Sequence, residues 1–174
     1  MAAVLLDELI ETDYGQLDIG WSDEFGFDGD VDRFFARQVN GLVGAADPSG
    51  VHLNLARRSG GSPLRIELLD HAPGPAGETW EDVVEVSVRI PDGAVPRWSS
   101  WAGESGGSVA VPPGTYRVRV CARGRDAGRD GEFAPRPVDR YLLELWPAPL
   151  QVDRVVRVGS ADAAYWHHEV GGRR

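Results

Sequence analysis

Apolar residues recur at every second position in seven short stretches of this chain, and no other feature limits its fold as much. The runs are Leu17, Ile19 and Trp21; Val51, Leu53 and Leu55; Leu64, Ile66 and Leu68; Val84, Val86, Val88 and Ile90; Val109 and Val111; Tyr116, Val118, Val120 and Ala122; and Tyr141, Leu143 and Leu145. A period of two puts each set on one face of an extended strand. The alternate positions are mostly polar, including His52, Asn54, Arg65, Glu67, Glu85, Ser87, Arg89, Arg117, Arg119 and Glu144. Packed and wet faces of this kind belong to antiparallel sheets. Breakers separate the runs: Asp47-Pro48-Ser49-Gly50 suits a type I turn, Arg58 to Pro63 contains Gly60-Gly61, and Pro112-Pro113-Gly114 precedes a strand. The expected fold is therefore mainly β, an antiparallel β-sandwich of seven to nine strands with one or two short helices.

Two segments carry a helical period instead. Val31, Phe34, Phe35, Val39, Leu42 and Val43 suit a short helix over about 30–38, followed by a strand over Gly41 to Ala46 that forms a hairpin with Val51 to Ala56. Near the C-terminus, Ser160 is placed to cap a helix through Ala161 to Glu169. The stretches Asp23 to Asp32 and Gly124 to Pro137 read as long irregular connections, where functional residues concentrate.

At 174 residues, 42% hydrophobic and 26% charged, the composition is that of one water-soluble domain over 1–174. A chain of this length hides roughly 70% of its unfolded surface, enough for a core without disulfides. The single cysteine, Cys121, permits no disulfide framework and lies on the outward face of its strand by alternation. No run approaches the ~20 apolar residues of a membrane span, and the N-terminus has acids where a signal peptide carries bases, so a cytoplasmic location is expected.

Charge is distributed unevenly. Residues 1–32 contain ten acids and no base, while 33–174 hold seventeen acids and all eighteen arginines. The formal net charge of −9 therefore belongs to the N-terminal fifth. Nucleic-acid binding needs a positive surplus, so the acidic end argues against it and suits a basic protein or a cation.

Several patterns resemble catalytic or metal motifs without completing them. Gly103-Glu104-Ser105-Gly106-Gly107 matches G-x-S-x-G, but a nucleophile elbow needs a strand before its serine and a helix after it, and a glycine-rich hairpin is the simpler reading. Asp28, Asp30 and Asp32 alternate like the first ligands of a calcium loop, yet Arg33 replaces the required glycine and Val39 the closing glutamate. His167 and His168 are adjacent and Cys121 is alone, so no zinc set forms. No cofactor or metal is expected. The six tryptophans invite a carbohydrate platform, though core and rim packing explains them as well.

The order of segments resembles the bacterial competence protein J (ComJ) family, small inhibitors of a DNA-entry nuclease. Asp13-Tyr14-Gly15-Gln16-Leu17-Asp18-Ile19 resembles its first strand. Gly41 to Ala46 with Val51 to Leu55 and Leu64 to Leu68 is similar to the next hairpin and strand, and the Gly114-Thr115-Tyr116 strand entry follows in order. The likeness spans roughly 12–147, leaving 148–174 as a C-terminal extension. It implies a non-enzymatic sandwich that binds another protein. On that reading Asp23, Glu24, Asp28, Asp30 and Asp32 dock on a basic partner such as a nuclease or toxin, with Phe25, Phe27, Trp98 and Trp101 as anchors. The alternative is a small-ligand or carbohydrate-binding sandwich, assisted by calcium in the acidic loop.

Overall fold

The computed structural model describes residues 1–172. The described residues form eleven strands in two sheets. The larger sheet runs, in spatial order, β1 (Ala2–Asp13), β5 (Ser59–Leu69), β10 (Arg140–Pro147), β9 (Gly114–Arg123), β6 (Asp82–Ile90) and β11 (Arg154–Arg157). The smaller runs β3 (Val43–Gly44), β4 (Gly50–Asn54), β2 (Gln16–Gly20), β7 (Arg97–Ser100) and β8 (Gly106–Ser108). The expected mainly β fold is thus found, with antiparallel pairing except between β5 and β10, which are parallel.

The alternating residues do what their period requires. Leu64 and Ile66, Val84 to Ile90, Tyr116 to Ala122 and Tyr141 to Leu145 from the larger sheet meet Leu17, Ile19, Val51, Leu53 and Trp98 from the smaller in one core cluster. The chain crosses between sheets at Tyr14-Gly15, both at positive φ, and a side chain at Gly15 would collide with the Leu55 carbonyl 2.3 Å away.

Among the described residues there are three short α-helices, α1 (Val31–Phe35), α2 (Arg125–Asp130) and α3 (Ala161–Glu169). The Asp30 carboxylate accepts from the N–H groups of Asp32 and Arg33 at the start of α1, and Ser160 Oγ accepts from Ala163 N–H at the start of α3. The β3–β4 hairpin forms as anticipated.

Several expectations require correction. β1 escapes the period-two reading because a bulge falls between Val4 and Leu6 and exposed Glu8 shares the parity of buried Leu6 and Ile10. Val109 and Val111 are buried but belong to no strand; the Val111 N–H bonds back to the Val109 carbonyl at 2.8 Å. The stretch read as an irregular loop after Gly124 contains α2.

The polar faces are also less wet than alternation implies. His52, Glu85 and Arg117 are each 4% exposed and Arg119 8%. His52, on the smaller sheet, is covered by the Phe27 ring, whereas on the larger sheet the cause is two irregular segments laid across it and held by arginines. Arg119 Nη1 donates to the Gly74 carbonyl at 2.8 Å, Arg117 Nη1 to Val152 at 2.9 Å, and Arg157 to Ala76, Gly77 and Trp80. Beneath them Glu85 accepts from Arg117, Arg119 and Arg154, so the buried charges are paired. Cys121 lies on this covered face with no exposure, and burial pushes its thiol up to about 12. The cysteine that alternation places on the outward face is therefore a buried thiol.

Candidate functional site

The outer face of the smaller sheet is capped by the acidic loop. Asp18 on β2 and His52 on β4 stand directly opposite each other, with Nδ1 of His52 2.8 Å from Oδ1 of Asp18. The second Asp18 oxygen accepts from the Phe27 N–H at 3.1 Å, and the Phe27 ring stacks on His52 with centroids 4.3 Å apart. Phe25 packs edge-on against Phe34 and covers Gly20 and Gly50, where a β-carbon would come within 3 Å of its ring. Phe34, Phe35 and Val170 form a small second core beneath the loop, joined by Phe25, Phe27, Val31 and Trp166.

The loop's charges divide into scaffold and surface. Arg33 clamps Asp28 and Asp47, each at 2.7 Å, and lies over the Phe34 ring. Asp28 also accepts from the Asp30 N–H, and that bond with the Arg33 guanidinium holds its carboxyl below the usual range. Asp30 caps α1. The carboxylates of Asp28 and Asp30 thus serve a turn and a helix start, which Asp32 enters through its N–H, and no group of three or more metal-ligating side chains converges among the described residues. Asp23 and Glu24 are exposed and have no side-chain partner among the described residues. An open groove of ≈ 600 Å³ runs beside them, lined by Asp18, Asp23, Phe25, Arg97, Trp98 and Ser99 among others.

The aromatic residues singled out from the sequence separate. Phe25 and Phe27 turn inward and pin the loop instead of projecting from it. Trp98, 7% exposed, is a core residue of β7. Trp101 is 37% exposed on the turn after β7, its ring 5.0 Å from that of Tyr14, and it does not line the groove. The N-terminal acids do not form one patch either. Asp7 pairs with Arg65, Asp13 accepts from Ser59 Oγ, and Asp18 is buried.

Ser105 does not stand on a strand-to-helix elbow. It precedes β8, and its hydroxyl lies 2.9 Å from Ser100 Oγ. Sequence reasoning missed the Arg33 clamp and the Asp18–His52 pair. The only signal for the latter was that two polar residues share a face on neighbouring strands.

No protein-family model matches the sequence, and no curated protein matches it. Two solved structures share its fold. One is described as the crystal structure of ComJ, inhibitor of the DNA degrading activity of NucA, from Bacillus subtilis. It superposes with a TM-score of 0.61 at 14% identity, over 85% of this chain and 99% of that one. The other, described as Crocagin biosynthetic gene J, gives a TM-score of 0.56 at 15% identity, over 86% of this chain and 99% of that one. At such identities the likeness concerns fold alone, and at that level it agrees with the resemblance read from the strand order.

Proposed function

We propose that this chain is a non-enzymatic binding protein that inhibits a basic, DNA-degrading partner through the rim of its acidic loop. The observation that carries the reading is the loop's construction. Asp18, Phe25, Phe27 and Arg33 fix its backbone from below, leaving the Asp23 and Glu24 carboxylates exposed without partners among the described residues. A prefixed loop loses little conformational freedom on binding, and clustered carboxylates attract a surface built to hold phosphates. Support at the level of fold comes from ComJ, whose description is that of a nuclease inhibitor. The scaffold acids refine the picture. Asp28 and Asp30 shape the loop, whereas Asp23 and Glu24 make the contact.

The test is capture of partners on the immobilised chain from its host lysate at low salt, elution at high salt, and assay of the eluate for DNA degradation. The expected eluate contains one stoichiometric basic protein that degrades DNA, and adding back the free chain suppresses that activity. An eluate without DNA-degrading activity, or one the chain does not inhibit, contradicts the reading.

A further inference from the structure

On the far side of the molecule, Arg123 of β9 and Arg140 of β10 stand directly opposite each other across an antiparallel pair. Like charges in that relation repel, because facing β-carbons lie only about 5 Å apart. Both residues are exposed, and neither side chain forms a hydrogen bond or ion pair among the described residues. The nearest acids along the chain are held elsewhere: Asp126 accepts from the Ala161 and Asp162 N–H groups and Asp139 from the Ser62 and Tyr141 hydroxyls, while Glu81 accepts from the Gly124 N–H at 2.9 Å. Both arginines line an open cavity of ≈ 320 Å³, together with Leu142, Thr79 and Trp80. Arg65, Asp7 and Glu67 also border it, the arginine paired with both carboxylates, so these three together carry one negative charge. In a chain of net charge −9, the lining carries three arginines against two acids, a local surplus of one positive charge that rests on Arg123 and Arg140.

We propose that this cavity binds a phosphate monoester carried on an aromatic body. Two planar guanidinium forks present paired N–H donors to a dianionic oxyanion, the chemistry for which arginine is suited. The Thr79 hydroxyl offers a further donor, and Trp80 supplies an apolar wall on which a ring stacks. The volume lies at the small end of ligand sites, sufficient for one ring system and its phosphate. A bound dianion also removes the repulsion between Arg123 and Arg140. The site lies on the larger sheet, so it stands independently of the acidic-loop reading.

The test is isothermal titration of the intact chain with phenyl phosphate, with inorganic phosphate for comparison. Saturable binding of phenyl phosphate, tighter than that of inorganic phosphate, is expected. Arg123→Gln and Arg140→Gln should each weaken it at least about tenfold. Trp80→Ala should weaken phenyl phosphate while leaving inorganic phosphate unchanged. Adenosine monophosphate and O-phosphotyrosine as further titrants tell a nucleotide from a phosphorylated residue, and preference for either supports the site. The arginine variants should melt at or above the parent temperature, since each relieves a repulsion; a lower melting temperature in both marks them as structural and overturns the proposal. Absence of saturable heat from phenyl phosphate overturns it, as does unchanged affinity in the double variant.

Discussion

Asp18 and His52 face each other across β2 and β4 with 2.8 Å between carboxylate and imidazole, and the same carboxylate holds the Phe27 N–H of the acidic loop. One side chain thus ties a sheet to the loop that covers it. Asp18→Ala leaves a buried ring nitrogen and a backbone N–H without an acceptor. It should cost about 2 kcal/mol of stability in denaturant unfolding. Hydrogen exchange should also quicken over 23–32 more than in the core strands. Equal loss of protection everywhere would show that the pair supports the sheet and not the loop.

The Arg125–Asp162 pair joins α2 to α3. Arg125 is 1% exposed, its Nε lies 2.9 Å from Asp162 Oδ2, and its Nη1 donates to the Asn54 carbonyl. Asp162→Ala strands a buried guanidinium and should destabilise the fold by about 3–5 kcal/mol. Replacing both residues by apolar ones of similar volume should cost less than the single change. Chemical unfolding of the two variants checks the order.

Cys121 should resist thiol reagents in the native state. It has no exposure, and its thiol, pushed up to about 12 by burial, is protonated at neutral pH. Modification by a chromogenic disulfide should therefore wait for unfolding and appear with the denaturant transition. Stoichiometric labelling of the folded chain within minutes would contradict this placement.

His167 gives the fold a pH dependence. Its Nδ1 accepts from the Gly41 N–H at 3.0 Å, its Nε2 is buried without a partner among the described residues, and burial, with Arg125 nearby, lowers its proton affinity. A histidine depressed in the folded state contributes stability above its unfolded value, near 6.5, and loses it as pH falls from there toward the folded value. Melting temperature should decline as pH drops below about 6.5, and more steeply in the parent than in His167→Gln. Parallel curves would assign the decline to other groups.

The frame of this fold was legible because period two and turn chemistry are local. Leu64-Arg65-Ile66 and Val84 to Ile90 announce their faces without tertiary context, and Ser160 announces its cap. Burial of the second face was not legible. Whether Glu85 and Arg117 meet water depends on loops 70–81 and 148–153, whose carbonyls are held by Arg119, Arg157 and Arg117. The acidic loop was visible as charge, but the division of labour within it rests on Arg33 reaching Asp47, fourteen residues away. Phe25 and Phe27 were read as anchors for a partner because sequence shows their apolarity and not the Phe34–His52 surface that receives them.

The most direct test of the central claim is the association rate between this chain and the nuclease captured from its host, compared for the parent and Asp23→Asn/Glu24→Gln. Neither side chain holds the loop, so the variant keeps its shape while losing the exposed charge. Association of the variant should be several-fold slower at low salt, with the difference vanishing at high salt where screening shortens the reach of charge to about 3 Å. Equal rates for parent and variant at low salt would contradict it and remove the loop rim from the interface.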